Sequence, residues 1–202
     1  PDYLTVAFDV HAPTFRHKMY EAYKGTRKPM DDALRQQVPL MKEMLAAMGV
    51  CTMEMEGYEA DDLLGTLAGM GERAGMEVSV VSGDRDLLQL ASDHVRIRIP
   101  KTKRTGTEIE DYLAADVKER YQVTPKEFID VKALMGDTAD NIPGVPGIGE
   151  KTATALIGQM PGSLFFPTVG NTTLPPSSWT HTRRMRTMQT SSPAYHAWYM
   201  MR

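Results

Sequence analysis

Eight carboxylates in four short clusters are the residues of this chain best suited to chemistry. Each cluster follows an apolar run or lies in a glycine-flanked turn, where a packed core has no use for charge. Converging carboxylates repel one another and are costly to desolvate, so a fold keeps them only where cations neutralise them. No His or Cys stands at ligand spacing beside them, which disfavours zinc and favours Mg²⁺ or Mn²⁺. The eight are Asp9, Glu59, Asp61, Asp62, Asp84, Asp86, Asp137 and Asp140.

The number of carboxylates suits a pair of divalent ions better than one. Two ions about 4 Å apart clamp the attacking and leaving oxygens of a phosphodiester during in-line displacement. Some of the individual carboxylates also have simpler explanations that involve no metal. Glu59 and Asp62 share one face at the start of a helix, where acids often only cap, and an Asx turn accounts for either Asp84 or Asp86. Neither explanation requires the whole set, so we favour metal ligands.

Two short apolar runs indicate strands that are buried on both faces. The run over residues 4–8 stops at Asp9, and the run over residues 78–81 stops shortly before Asp84. Between them, apolar residues recur with helical spacing over residues 34–48 and 63–68. This order is typical of an α/β fold with a parallel sheet, whose ligands lie at the carboxyl ends of the strands. We therefore expect the acids to share one crevice.

From about residue 111 the chain becomes more helical and richer in caps. Thr124–Glu127 forms a capping box with proline at the first helical position. Gly144–Lys151 is a glycine-rich turn that opens a further helix. Such a turn lets backbone N–H groups approach a phosphate closely, and any tight connection between helices also uses glycine. The pattern alone leaves both interpretations open.

Basic residues cluster, although a net charge of −3 excludes a globally basic nucleic-acid binder. Two tyrosines interrupt the first cluster, as on surfaces that stack bases and hold phosphates. A second cluster over residues 96–104 contains no acid. Charge runs are more often solvated faces, but beside an acidic metal crevice we favour nucleic-acid binding. The first cluster comprises Arg16, Lys18, Tyr20, Tyr23, Lys24, Arg27 and Lys28.

Composition excludes several classes of protein. A chain of 202 residues, 42% hydrophobic and 24% charged, can bury one sizeable core and a small second one. The single cysteine, Cys51, rules out an internal disulfide framework and fits a reducing cytoplasm. The apolar runs are too short for a membrane span, and the start at Pro1 has no secretory signal. We also expect the chain to begin in mid-domain.

Residues 158–202 differ in composition from the rest of the chain. All 26 acidic residues and every lysine precede residue 158. Helical and strand periodicity are also missing after that point. We therefore predict that residues 158–202 are disordered or loosely attached. A shifted reading frame would explain the same change in composition.

Five segments form a co-linear set of motifs: residues 8–16, 23–27, 57–62, 82–86 and 135–151. In order and approximate spacing they resemble the 5′–3′ exonuclease domains of bacterial DNA polymerase I, which are relatives of the flap endonucleases. The likeness covers residues 4–157. It implies a PIN-like parallel sheet with a helical arch, followed by a small all-α helix–hairpin–helix domain.

The resemblance also implies roles for individual residues. The eight acids would bind two or more Mg²⁺ or Mn²⁺ ions. Lys24 and Arg27 would act catalytically near the scissile phosphate, and Arg16 and Tyr23 would lie with them on the arch that handles the 5′ strand, beside Tyr20 of the basic cluster. A hairpin that often holds a monovalent cation such as K⁺ would grip the duplex through Gly144, Gly147, Gly149 and Lys151.

Two departures accompany the resemblance. Family members begin with a strand that carries a first metal-binding Asp, followed by a long helix, and this sequence contains neither. The segment after residue 157 resembles neither the family's helical continuation nor a polymerase domain. We therefore expect little or no nuclease activity from these 202 residues alone.

We interpret the chain as a metal-dependent, structure-specific 5′ nuclease domain of the cytoplasm, acting on flapped, nicked or branched DNA in replication and repair. A DNA polymerase domain is an expected partner on the same original polypeptide. The expected organisation is a nuclease core over residues 1–110, a helical domain over 111–157 and the tail over 158–202. One alternative is a non-catalytic module that binds branched DNA. Another is a PIN-like ribonuclease or metal phosphatase, which would not need the Gly144–Lys151 turn.

Overall fold

The computed structural model describes residues 1–104 and 106–159. The segment predicted to be disordered, residues 158–202, lies outside the described residues except for Gly158 and Gln159 at the end of a helix. Within the described part, no helix has both the length and the apolar character needed to cross a membrane.

A pair of short parallel strands with two intervening helices forms the first part of the fold. The strand that ends before Asp9 and the helix over residues 34–48 are confirmed. The second strand was not predicted, because three residues are too few to show a period. The elements are β1 (Thr5–Ala7), α1 (Phe15–Met19), α2 (Asp32–Ala47) and β2 (Cys51–Met53), with β1 parallel to β2.

A three-stranded mixed sheet forms the second part. Its first two strands are parallel, in agreement with the predicted parallel arrangement, but the strand over residues 78–81 pairs with a neighbour that was not predicted, and not with β1. The third strand pairs antiparallel with the second in a hairpin that was also not predicted. A 3₁₀ helix over Arg85–Leu90 connects the parallel strands. The elements are α3 (Ala60–Arg73), β3 (Val78–Val81), β4 (Val95–Lys103) and β5 (Gly106–Tyr112), in the sheet order β3, β4, β5.

The second basic cluster lies on β4, where basic side chains alternate with buried apolar ones. Acids of β5 pair with it across the hairpin: Arg98 Nε lies 2.9 Å from an Asp111 oxygen, and Lys101 Nζ lies 2.5 Å from Glu110. The sequence shows no interleaved acid because these partners belong to the next strand. The cluster is therefore partly neutralised within its own sheet.

Helices dominate the remainder of the described chain. Thr124 accepts a hydrogen bond from the Glu127 N–H, and the Glu127 carboxylate accepts one from the Thr124 N–H at 2.8 Å, which confirms the predicted capping box. The elements are α4 (Ala114–Tyr121), α5 (Pro125–Met135), the antiparallel pair β6 (Gly136–Asp137) and β7 (Ile142–Pro143), and α6 (Glu150–Gly158).

Two glycines permit the close approach at the base of the β6–β7 hairpin. A Cβ on Gly136, whose φ is +72°, would lie 2.3 Å from the Gly144 nitrogen, and a Cβ on Gly144 would lie 2.2 Å from the Met135 oxygen. Gly144 therefore has a steric reason for being glycine that involves no DNA.

The main core joins the mixed sheet to the helices that follow it. Side chains from β4, the 3₁₀ helix, α4 and α5 fill it, and α6 closes it. By contrast, α2 has no buried residue, and three of its apolar side chains are half exposed or more. Buried core members include Leu88, Val95, Ile97, Val117, Val131, Leu134 and Ala153, and the exposed residues of α2 are Leu34, Leu40 and Met44, with Met48 just after it.

Candidate metal centre and nucleic-acid interface

One group of carboxylates surrounds Asp61 in the first turn of α3. Asp9 follows β1 and accepts a hydrogen bond from the Ala60 N–H at 2.7 Å, which ties the end of β1 to the start of α3. Burial, followed by the negative charges of Asp84, Asp9 and Glu59, raises the pKa of Asp61 to about 6. The structure thus brings acids from β1, α3 and the turn after β3 into electrostatic contact, as the expected shared crevice requires.

A second group of carboxylates centres on a lysine that the sequence analysis missed. Lys132 Nζ, on α5, lies 2.8 Å from Asp86 Oδ1 and 2.9 Å from Asp137 Oδ2. Burial raises the pKa of Asp86 to about 7, with Lys132 opposing the rise and Asp84 and Asp137 adding to it. The pKa of Asp137 is lowered despite its own burial, because Lys132 and backbone N–H groups stabilise its charge.

Asp62 makes a different set of contacts from its neighbour Asp61. Its two oxygens accept hydrogen bonds from the guanidinium of Arg16 at 2.7 and 2.8 Å, and one of them also accepts the Glu59 N–H at 2.8 Å. Arg16 is only 2% exposed. Although burial opposes the charge, the Arg16 hydrogen bonds lower the pKa of Asp62. Both oxygens of Asp62 are therefore engaged by protein groups.

Glu59 connects the first carboxylate group to the basic cluster. Lys24 Nζ lies 2.7 Å from Glu59 Oε1, and the Tyr23 hydroxyl lies 3.0 Å from Glu59 Oε2 and 3.1 Å from Asp140 Oδ2. Burial, and then the charges of Glu59 and Asp140, raise the pKa of Tyr23. The tyrosine therefore stays neutral, and its hydroxyl donates a hydrogen bond to one of these acids.

Arg27 and Asp140 form an ion pair at the same edge, and Arg27 Nε also donates to the Ala139 carbonyl at 3.2 Å. Asp137 ends β6 and Asp140 lies in the tight turn between β6 and β7, where Asp137 Oδ1 accepts the Ala139 N–H at 2.8 Å. The close approach of Gly136 to Gly144 closes the hairpin that carries both acids.

The structure therefore brings Arg16, Tyr23, Lys24 and Arg27 to the acidic edge. The three cations among them are each paired with an acid. Tyr20 lies beside them and donates its hydroxyl to the Asn141 carbonyl at 3.2 Å. Asn141 also escaped the sequence analysis. The available signal in the sequence was an Asn at the end of an Asp-rich segment, since Asn tolerates a left-handed backbone in turns. The structure shows that backbone, with a φ of 58°.

The Gly144–Lys151 turn leads into the amino terminus of α6. Gly147 has a φ of +81°, and a Cβ on Gly147 or Gly149 would meet no atom within 4 Å. Gly149 caps α6, and Lys151 is exposed on its first turn. Unlike Gly144, these two glycines face open space and leave room for a ligand.

The donor set suits a hard divalent cation, because every candidate ligand is a carboxylate and because burial, and then the neighbouring acids, raise the pKa of Asp61. Among residues 1–104 and 106–159, no three His, Cys, Asp or Glu side chains are grouped closely enough to enclose a metal ion by themselves. Mg²⁺ does not require such an enclosure, since it keeps several waters and binds through one or two carboxylates. The carboxylates are therefore chemically suitable ligands for Mg²⁺.

Solved structures define the class to which this fold belongs. The T5 D15 protein, co-crystallised with metal ions, matches 98% of this chain and 75% of its own with a TM-score of 0.73 and 24% identity. The catalytic core of Rad2 in complex with DNA substrate matches 77% of this chain and 45% of its own with a TM-score of 0.53 and 15% identity. These likenesses establish a shared α/β, PIN-like fold.

Two family models match consecutive parts of the chain. The 5′-3′ exonuclease N-terminal resolvase-like domain matches residues 1–122, and the 5′-3′ exonuclease C-terminal SAM fold matches residues 123–164. The chain belongs to the 5′-3′ exonuclease family, and the resemblance found from the five motifs is confirmed.

Curated relatives are DNA polymerases I. The enzyme of Bacillus caldotenax is 52% identical over 159 residues, and that of Bacillus subtilis (strain 168) is 48% identical over 159 residues. Each match covers 79% of this chain and 18% of the relative. The chain thus spans about a fifth of the length of the curated relatives it matches.

Asp62 and Asp61 should respond in opposite ways to loss of charge. Asp62→Asn removes the bidentate counter-charge of the buried Arg16 guanidinium and leaves only the longer contact with Glu59, at 3.8 Å, so the free energy of unfolding should fall by about 3 kcal/mol. Asp61→Asn removes repulsion and should leave stability unchanged or raised. Urea denaturation in the presence of EDTA measures both. Equal losses of stability in the two variants would contradict the distinction.

Without metal, the free energy of unfolding should fall as the pH rises from about 4 to about 7. Asp86 has a folded-state pKa of about 7, above its ordinary value near 4, so in this window the folded chain holds a proton that the unfolded chain has lost. Asp86→Asn should reduce the slope measured by urea denaturation at several pH values. His94, whose pKa Glu77 raises, adds to the slope with the same sign in both proteins.

The exposed Asp2 supplies a matched control, since Asp2→Asn removes a carboxylate from the surface. An Asp86→Asn protein with the same pH slope as the wild-type chain would show that Asp86 does not bind this proton.

Proposed function

We propose that this chain is the nuclease part of a DNA polymerase I-like polypeptide and hydrolyses phosphodiesters of 5′-flapped, nicked or branched DNA with divalent metal ions. The observation that carries the proposal is the group of acids around Asp61. A basic segment lies beside this group, and its Lys24 contacts Glu59. Family membership and the DNA complexes of structural neighbours support it.

Seven of the eight acids are proposed to serve two or more Mg²⁺ or Mn²⁺ ions. When bound, such ions supply Lewis-acid stabilisation of a phosphoryl group and activation of water. Asp62 is proposed to act mainly as the anchor of Arg16, because both of its oxygens are already engaged. The seven are Asp9, Glu59, Asp61, Asp84, Asp86, Asp137 and Asp140.

Lys24 and Arg27 are proposed to stabilise the charge that develops on the reacting phosphate. Both are paired with acids in the structure, Lys24 with Glu59 and Arg27 with Asp140. A bound phosphate therefore replaces a carboxylate as the partner of each cation, and the freed carboxylates become available as ligands. Tyr20, Tyr23 and Arg16 support this segment from the protein side.

The turn at the start of α6 is proposed to hold the duplex backbone. Gly147 and Gly149 leave open space at a helix amino terminus, and Lys151 adds an exposed positive charge. Gly144 contributes by closing the hairpin that precedes the turn. A K⁺ ion at this turn is part of the proposal on the strength of the family resemblance.

The wider setting follows from the relatives. Replication and repair in the cytoplasm, with a polymerase domain on the same polypeptide, agree with the DNA polymerase I matches. The organisation into a nuclease core over residues 1–110 and a helical domain over residues 111–157 remains part of this proposal.

A non-catalytic module that binds branched DNA is a second candidate, and Lys132 favours it. Its ammonium group contacts both Asp86 and Asp137 and supplies one positive charge there without a metal ion. Cleavage and binding of a 5′-flap duplex, compared with Mg²⁺ and with EDTA, separate the two candidates. A module of this kind binds the duplex in both conditions and cleaves in neither.

Asp84→Asn and Asp61→Asn should each abolish cleavage and leave duplex binding unchanged or tighter. Loss of one ligand weakens metal binding in the transition state, while the lower negative charge favours DNA. The assay is flap cleavage with Mg²⁺ by the chain extended with the first strand of its family. Asp93→Asn is the matched control, and near-normal turnover of either site variant would overturn the assignment.

Lys24 and Lys151 should differ in what their removal changes. Lys24→Ala should lower the cleavage rate more than the affinity, because its proposed partner is the reacting phosphate. Lys151→Ala should lower the affinity and reduce the slope of log affinity against log salt by about 1, because its proposed partner is the duplex backbone. Equal losses of affinity with no change in rate would favour the non-catalytic module.

A further inference from the structure

The segment over residues 20–27, which carries Lys24 and Arg27, is held against the β6–β7 turn. The Lys24 N–H donates to the Asp140 carbonyl at 2.9 Å, and the Arg27 side chain donates to the Ala139 carbonyl at 3.2 Å. The two proposed catalytic cations are thus placed by a turn more than a hundred residues later in the chain.

Asn141 makes the side-chain contact at the centre of this junction. Its Nδ2 donates to the Ala22 carbonyl at 2.8 Å, and its own carbonyl accepts the Tyr20 hydroxyl at 3.2 Å. The Ala22 carbonyl also accepts the Gly25 N–H at 3.0 Å, which closes the turn around Lys24. One side chain therefore fixes the turn that presents Lys24.

That turn is strained. Lys24 has a φ of 54°, in the left-handed region that residues with a Cβ adopt at a cost. Such a conformation persists where its surroundings over-determine it. The Asn141 amide and the Asp140 carbonyl supply that restraint on either side of Lys24.

The apolar support of the junction is small. Tyr23 and Ile142, 3% and 4% exposed, form a small cluster with Tyr20 that is separate from the main core. Because the main core does not hold the segment, each hydrogen bond across the junction carries a larger share of its restraint.

We propose that Asn141 is a positioning residue that holds Lys24 and Arg27 in register with the acidic edge. Asn141 acts through the Ala22 carbonyl and touches neither metal nor DNA. The proposal rests on the proposed function for its consequence in catalysis, and its structural part can be tested without DNA.

The structural test is limited trypsin digestion with mass spectrometry of the peptides cut after Lys24 and after Arg27. Asn141→Gly keeps a residue suited to the left-handed backbone and removes the amide donor. Loss of one hydrogen bond should speed both cuts by about fivefold or more. Asn141→Asp keeps the shape of the side chain but places a carboxylate oxygen against the Ala22 carbonyl. This variant should speed both cuts at least as much.

Gln122→Gly is the matched control. Gln122 also has a left-handed backbone, with φ of 59°, and its side-chain amide donates to a nearby carbonyl, that of Glu119, at the end of α4. This variant should leave the cuts after Lys24 and Arg27 unchanged. Thermal melting of all variants shows whether any acceleration is local.

The functional test measures flap cleavage in the chain extended with the first strand of its family. Asn141→Gly should lower kcat and leave the affinity for the flap duplex unchanged. Unchanged tryptic cutting in Asn141→Gly, or a loss of melting temperature that accounts for faster cutting everywhere, overturns the positioning role. If the parent protein fails to cleave flap DNA, the proposed function fails, and the tryptic comparison still decides whether Asn141 holds the segment.

Discussion

Repulsion between carboxylates at one edge of the fold is the constraint on which the site depends. The ends of β1 and β3 and the start of α3 place acids close enough for burial and neighbouring charge to raise the pKa of Asp61 to about 6. Elements that are packed in this way cannot separate their acids without giving up their own contacts. The fold therefore requires positive charge at this edge, from protein groups or from metal ions.

The protein supplies part of that charge from three separate places. Arg16 neutralises Asp62, Lys24 neutralises Glu59, and Lys132 lies between Asp86 and Asp137. The Arg16 pair is buried and bidentate, and it joins α1 to α3. The Lys24 pair is more accessible and lies on a segment that is held by the β6–β7 turn. The buried pair therefore serves the fold, whereas the accessible pair is suited to exchange with a phosphate.

The same elements join the two matched family domains. The β6–β7 turn belongs to the part that matches the C-terminal SAM fold, and the segment it holds belongs to the N-terminal resolvase-like part. Tyr23 contacts acids from both parts, Glu59 and Asp140. The helical part therefore contributes to the acidic edge directly, in addition to the turn at α6 that is proposed to hold DNA.

The sequence by itself determined the family through its co-linear motifs. It also determined the strands before Asp9 and Asp84 and the helices α2, α3, α5 and α6, because apolar periodicity and capping are local properties. One crevice for all eight acids stays a prediction. The sequence missed β5 and the pairing of Arg98 with Asp111, since a hairpin partner is chosen across the sheet. Only the tertiary structure decided that Asp62 faces Arg16 while Asp61 faces other acids. Adjacent side chains lie on different faces of a helix. The distant segments that pack on each face therefore determine which charges surround each acid.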